Sequence, residues 1–304
     1  MFYIARKSHI MEIDSTSKIK FSFSGHESFQ CRQLWLKKGY DFLAKGNSFN
    51  DEDAVVKLGV GKNMVSAIRY WLKAFNIIDL KDKLTEFGKK LLSNNGYDPF
   101  LEDEASIWLL HYQLTYNRIA SIYSIIFNEF RKEKLLFNRE TFLNYMNRRS
   151  EIDKSLNFNE NTIITDFGVF IKMYQGMNSE TKDVEESYSG ILSELELLNT
   201  IQGDKKLLYQ IEINQRDNLP PEILLFTILS NNNYGNAISL NSIEFDYNSP
   251  GSIFAISRAG LINKIEDITQ QYNYVTFIDH AGIKELQFRN KPNAYSVLDQ
   301  YYGK

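Results

Sequence analysis

Apolar and polar positions alternate most regularly over residues 51–76. Asp51, Glu52 and Asp53 put acids where the first turn of a helix favours them, and Ala54, Val55 and Leu58 supply an apolar side. This predicts a helix over Asp51–Leu58. Gly59 follows, where glycine turns the backbone without steric cost. A second helix is predicted from near Gly61 to about Asn76. On it Val65, Ile68, Leu72 and Phe75 recur at helical spacing, joined by Met64 and Trp71, while Lys62, Ser66, Arg69 and Lys73 fall on another side. The series Val55, Gly59, Val60, Val65, Ile68 follows the helix-turn-helix spacing, with Val55 where a smaller residue is usual. Ile77–Leu80 and Leu84–Phe87 then flank a charged turn, Lys81-Asp82-Lys83, and predict a short hairpin or wing leading into a helix with Lys89 and Lys90.

Upstream, Phe21–Arg32 predicts a strand or turn entering a helix that stops at Gly39, with Gly39–Ser48 as punctuation. Downstream, residues 98–220 are helix-rich. Glu102, Asp103 and Glu104 open a helix with Leu101, Ala105, Trp108, Leu109 and Tyr112 apolar. Ile119–Phe130 and Glu140–Arg149 predict further amphipathic helices, with Arg131–Lys134 exposed between them and Arg148-Arg149 a solvated basic spot. Asn178–Glu186 predicts an exposed loop, and Ile191–Ile201 a helix. At the C-terminal end Pro220-Pro221 opens a helix through Leu229, Ile238–Glu244 predicts a short helix, and Ser249-Pro250-Gly251 starts a longer one towards Gln271. Tyr274–Ile278 and Ile283–Phe288 flank the turn Asp279–Gly282 as a hairpin. Helix, short helix, helix, hairpin is again winged-helix order. The expected fold is therefore mainly α: an N-terminal winged helix-turn-helix (1–92), a central helical domain (93–219) and a second winged-helix-like module (220–304).

Composition adds bounds. The 304 residues suffice for two or three domains, and 43% hydrophobic with 24% charged residues fits a globular protein. No run reaches the ~18–20 apolar residues of a membrane span. Met1–Met11, broken by Arg6, Lys7 and His9, has no signal-peptide core. The single cysteine, Cys31, excludes an internal disulfide and fits a reducing cytoplasm, the expected location. The net charge of −3 conceals an asymmetry. Residues 1–92 carry 16 Lys+Arg against 10 Asp+Glu, whereas 93–219 carry 13 against 20 and 220–304 carry 6 against 8. A basic end on an acidic body is the footprint of a domain that meets a polyanion.

That charge selects the candidate site. Lys62, Asn63, Ser66, Arg69 and Lys73 on the second helix suit phosphate positioning and base-edge contact, and Lys81 and Lys83 suit contact with the DNA backbone. Leu58–Asn63 is no phosphate loop, because Val56 and Asn63 stand where a P-loop needs glycine and a hydroxyl. His26, Glu27, Cys31 and Arg32 lack the spacing of a metal site and of a nucleophile–base pair, so His26 is expected to brace the adjoining helix. His111 is expected to be a satisfied core histidine. Asp166-Phe167-Gly168 matches a kinase triplet without its accompanying motifs. No catalytic residue, metal or cofactor is assigned. The C-terminal module lacks a basic stripe, since Arg258 and Lys264 share its long helix with Glu266 and Asp267, which favours a structural or protein-docking role.

Several blocks together resemble the bacterial "domain of unknown function 4007" family. They are Phe23–Phe29 with Arg32 and Trp35, Leu58–Val65 with Trp71-Leu72, Asp98–Asp103 with Trp108–His111, Ser249–Gly251, and Asp279 through Ile283. The resemblance implies a genomic setting beside phosphoadenosine-phosphosulfate-reductase-like proteins, in clusters for DNA phosphorothioation and phage defence. It implies no catalytic residues. The leading expectation is a non-enzymatic protein that binds duplex DNA in such a system. The alternative is an adaptor that docks a sulfur-transfer or DNA-modification enzyme without touching DNA. An enzyme using His26, Glu27 and Cys31, or His111 with nearby acids, is the remaining class, which stoichiometric metal would favour.

Overall fold

Helix packing begins with three short helices whose apolar sides meet. The computed structural model describes residues 21–176, 189–203, 206–280 and 282–304. The N-terminal stretch Met1–Met11 and the loop expected at Asn178–Glu186 lie outside the described residues. Helix α1 spans Trp35–Ala44, α2 Ala54–Leu58 and α3 Lys62–Ala74. Gly59 takes φ +60° and ends α2, so α3 can start after Gly61 in a new direction. Val65, Ile68, Trp71, Leu72 and Phe75 are buried, as their spacing predicts. Contrary to expectation, α1 does not stop at Gly39. A Cβ there would lie 2.6 Å from Leu72 Cδ1 and 2.8 Å from Ile68 Cγ2, so the glycine lets α1 press against α3. It serves contact, not termination. Beyond α3, Ile78 and Leu84 form a single antiparallel bridge around the 79–83 turn, a hairpin reduced to one rung. Helix α4 (Glu86–Leu92) follows, capped by Thr85, which accepts from the Gly88 amide.

The middle of the chain is helical. Helix α5 (Glu104–Tyr116), capped by Asp103, is buried on every side from Ala105 to Thr115. Helix α6 (Ser121–Ile125) runs into a π-helical turn, Ile126–Phe130, and then α7 (Arg131–Glu133). Helix α8 (Arg139–Ile152) starts on an Asn138/Thr141 capping box, and α9 (Glu160–Tyr174) is capped by Asn159. The helix expected over Ile191–Ile201 is absent. In its place stand a 3₁₀ turn (Ser193–Leu195), Glu196 at φ +47°, and strand β1 (Leu198–Gln202) paired antiparallel with β2 (Leu207–Ile211). Leu192, Leu195 and Leu197 are buried, but the left-handed Glu196 between them breaks any helical register.

The C-terminal part holds α10 (Pro221–Ser230), β3 (Ala237–Ser239), α11 (Leu240–Phe245), α12 (Pro250–Phe254), α13 (Arg258–Gln271), β4 (Val275–His280), β5 (Ile283–Phe288) and α14 (Ala294–Tyr301). The expected hairpin is present as β4–β5, and β3 joins it in the order β3-β5-β4. The long helix expected from Ser249 to Gln271 is two. Ala255 at φ +48° ends α12, and Ser257 caps α13 by accepting from the Gly260 amide. Hydrogen bonds from side chains and from the backbone tie the parts together. Asp299 of α14 accepts from Tyr97 and from Lys90 Nζ at 2.8 Å, and the Ser121 amide donates to the Ser22 carbonyl at 3.1 Å. Among the described residues no helix is long and apolar enough to cross a membrane.

Candidate nucleic-acid interface

The α3 surface divides the expected contact residues in two. Lys62, Asn63 and Ser66 are exposed along the N-terminal half of the helix, and Ser66 bonds only the Lys62 carbonyl, at 3.5 Å. Arg69 and Lys73, further along, are drawn onto the turn. Arg69 Nε donates to Asp82 Oδ1 at 3.1 Å and its Nη1 to Asn50 Oδ1 at 3.2 Å. Lys73 Nζ lies 2.9 Å from Asp82 Oδ1 and donates to the Leu80 carbonyl at 3.3 Å. Burial pushes the Asp82 carboxyl up, but hydrogen bonds and charge from Arg69 and Lys73 outweigh it and hold the group below its ordinary range. Asp82 is thus a clamp between α3 and the turn. Asp79 stiffens the same turn by accepting from the Lys81 and Lys83 amides at 2.8 and 2.9 Å. The Lys81 and Lys83 side chains remain exposed.

At the N-terminal end of α3 an open hollow of about 740 Å³ is walled by Phe29, Arg32 and the Gly59–Met64 segment. Gly61 caps the helix with extended backbone and no side-chain acceptor. The first-turn amides and the helix dipole therefore favour an anion at the place where Lys62 and Arg32 add positive charge.

His26 is buried and unavailable for chemistry on a large substrate. Its Nδ1 accepts from the Ser28 amide at 3.1 Å, which leaves the proton on Nε2 to donate to Asp166 Oδ1 at 2.9 Å. The Ser24 amide donates to both Asp166 oxygens, at 3.2 and 3.0 Å. The ring stacks on Trp71, centroids 5.9 Å apart, and Trp71 Nε1 donates to the Phe29 carbonyl at 3.0 Å. His26 therefore ties the 22–29 segment to α3 and α9, and not to α1, the adjoining helix it was expected to brace. Asp166 was the unforeseen partner, although one acid among Ile163, Phe167 and Phe170 on a buried helix side is a visible signal. Cys31 is fully buried, and burial pushes its thiol well up. Glu27 is exposed, so the three do not converge.

His111 sits in the core, its Nε2 donating to the Ile253 carbonyl and its Nδ1 accepting from the Tyr174 hydroxyl, both at 2.8 Å. Burial lowers its pKa to about 3. Arg148 and Arg149 are not both solvated. Arg148 pairs with Glu133 at the surface, but Arg149 is half-buried against Glu129, 3.0 Å away, and the Phe21 ring. Among the described residues no three His, Cys, Asp or Glu side chains could together hold a metal ion.

Comparison with protein families matches residues 23–302 to one described as "Protein of unknown function (DUF4007)". Comparison with curated proteins finds no match. Among solved structures the chain is similar to a magnesium-ion-bound crystal structure of SspB, with 27% identity and a TM-score of 0.82 over 93% of this chain and 88% of that one. A further SspB crystal structure matches at 27% identity and a TM-score of 0.81, with the same coverage.

Proposed function

The chain belongs to the DUF4007 family, and from that premise we propose that it binds duplex DNA as an accessory protein of a bacterial DNA-modification or defence system. In this reading α2, Gly59 and α3 are the helix-turn-helix and the 79–83 turn is its wing. One observation carries it: Lys62, Asn63, Ser66, Lys81 and Lys83 all face solvent on one small unit, whose turn Asp82 and Asp79 fix rigidly. Rigid placement of free cations is what backbone positioning on a duplex requires. The α10–β5 segment, with Lys264 largely buried, is the structural module of the pair. Phosphorothioation, the setting the family resemblance implies, makes plain and sulfur-substituted duplexes the probes to compare.

Fluorescence anisotropy with a duplex across a salt series tests the reading. Lys62→Ala should reduce the slope of log K against log salt by ~0.9, one phosphate contact. Absence of binding at low salt overturns it. A protein-docking adaptor is favoured by one feature, the exposed apolar Val56 on α2 and Leu34 before α1. Co-purification of a DNA-modification enzyme that Val56→Asp abolishes and Lys62→Ala spares would select that reading.

A further inference from the structure

The hollow at the start of α3 joins chemistry of two kinds. Phe29, Val60 and Met64 line it with apolar surface, each half-buried and packed against the core. Arg32 and Lys62 bring two cations to the same walls, and Asn63 brings an amide that both donates and accepts. None of the described residues that line it is acidic. The hollow opens to solvent and Lys62 and Asn63 are exposed, so a large partner reaches it. Its volume of about 740 Å³ falls within the range of about 300–1,000 Å³ usual for small-ligand sites.

The walls are held before anything binds. The Phe29 carbonyl accepts from Trp71 Nε1 of α3 at 3.0 Å, and the Phe29 amide donates to the His26 carbonyl at 2.8 Å. The His26–Asp166 pair anchors that segment in turn to α9. The Arg32 guanidinium lies 5.3 Å from the centre of the Trp35 ring. On the opposite side Lys38 Nζ donates to the Leu58 carbonyl at 3.1 Å, which ties the end of α2 to α1. The Val60 amide donates to the Val55 carbonyl at 3.3 Å. A site whose walls need no ordering loses less free energy on binding. These parts match the parts of one nucleotide. The cations suit its phosphate, the apolar aromatic wall suits the face of its base, and the asparagine amide suits a base edge. Inorganic phosphate would leave the apolar wall unused. A paired base is stacked on both faces and shows only its edges in the grooves, so it cannot fill the hollow.

We propose that the hollow holds one unpaired nucleotide of the DNA that α3 contacts, with its base on Phe29 and Met64, its base edge at Asn63 and its phosphate at Lys62 and Arg32. The site rests on the duplex-binding reading for the DNA that delivers the nucleotide. Lys62 keeps its phosphate contact whether or not the base is paired, so the hollow adds selectivity to that contact. Taking a paired base out of the stack is costly, whereas a bulged one has no pair to lose. The preference is therefore for DNA with an unpaired base over a fully matched duplex.

The test uses the full chain and two duplexes of one sequence, one matched and one carrying a single bulged 2-aminopurine. The bulged duplex should bind about tenfold tighter, the size of effect one stacked base supplies. The 2-aminopurine fluorescence should rise as the base leaves its neighbours. Phe29→Leu keeps the apolar volume without the aromatic face, and should lower the preference about threefold while the matched affinity stands. Phe29→Tyr should restore it. Gly61→Leu fills the hollow, since the backbone there has φ −63° and a Cβ meets nothing within 4 Å. It should abolish both the preference and the fluorescence rise. All variants are first shown to keep the wild-type circular dichroism. Equal wild-type affinity for the two duplexes and no fluorescence rise, with Lys62→Ala weakened on both, overturns the nucleotide site and leaves the duplex reading standing. A preference that survives Gly61→Leu also overturns the site. No binding of the matched duplex, with a single-stranded oligonucleotide bound by the wild type and lost in Gly61→Leu, overturns the duplex reading and supports the hollow as a site for unpaired DNA. Co-purification of an acidic protein that Gly61→Leu abolishes, with the two duplexes bound equally, gives the hollow to that partner and overturns the proposal. No binding of any of these DNAs overturns both readings.

Discussion

Arg131 and Arg118 carry the same guanidinium on neighbouring parts of the chain, and the fold treats them in opposite ways. Arg131 is buried, with Nε on the Phe127 carbonyl at 2.9 Å and Nη2 on the Gly251 and Ser252 carbonyls at 3.0 and 2.9 Å. His111 covers the Ile253 carbonyl, and Arg216 Nε covers that of Phe254 at 3.1 Å. The carbonyls of residues 251–254 in α12 are each met by a donor from elsewhere in the chain, at the helix end whose partial charge is negative. Burial, with Arg216 nearby, lowers the Arg131 pKa only to about 10, so it stays charged at neutral pH without a carboxylate. Among the described residues the Arg118 guanidinium meets no carbonyl and no acid, only the Tyr247 ring. What separates a structural cation from an available one is therefore the filling of its donors, which residue type and exposure alone do not reveal.

The sharpest way to break this contrast is to delete both arginines. A buried carbonyl left without a donor costs ~1–3 kcal/mol, so Arg131→Ala should lower the unfolding free energy by about 3 kcal/mol or more. Arg118→Ala, losing only a stack on Tyr247, should cost no more than ~1 kcal/mol. Urea unfolding midpoints decide, and similar losses for the two variants would end the distinction. His111 gives a pH-dependent version. Its pKa falls from 6.5 unfolded to about 3 folded, so between those values the unfolded chain binds the extra proton. Its contribution is complete above pH 6.5 and is lost as pH falls towards 3, at up to ~1.4 kcal/mol per unit. His111→Phe should be less stable at pH 7 and should fall less steeply between pH 6.5 and 4.5. Parallel profiles would show that the histidine is not held neutral by the core.

The same distinction explains what could be read in the sequence. The apolar series of α3 and the turn at Gly59 were legible because helical periodicity and a left-handed glycine are local properties. Gly39 misled for the opposite reason: its role depends on Leu72 and Ile68, which only the packed α1–α3 pair brings close. The predicted helix over Ser249–Gln271 is interrupted at Ala255, where donors from Arg131, His111 and Arg216 meet the carbonyls that end α12, and Ser257, which caps α13, was the local signal passed over. The basic stripe was visible, but its division was not. Asp82 sits in the turn after α3, and nothing in the spacing says that it reaches back to Arg69 and Lys73. Arg149, read as part of a solvated pair, is half-buried through contacts with Glu129 and Phe21 that are remote in sequence.

Asp82 also supplies the smallest and most discriminating change. Asp82→Asn removes the negative charge that occupies Arg69 and Lys73 while keeping one acceptor oxygen. Asparagine also tolerates the left-handed backbone, φ +61°, that the turn imposes here. The clamp is partly solvent-exposed, so its loss should cost less than ~1 kcal/mol of stability. Two cations would then be released beside Lys81 and Lys83. If filled donors are what withholds a cation from the duplex, the salt slope should steepen by ~0.9 for each of the two that finds a phosphate. The low-salt affinity should rise in step, in a variant that loses a hydrogen-bonded ion pair. A fall in affinity would mean that the placement of the turn by Asp82 matters more than the charge it masks, and Arg69 and Lys73 would then serve the duplex only by holding Lys81 and Lys83 in position.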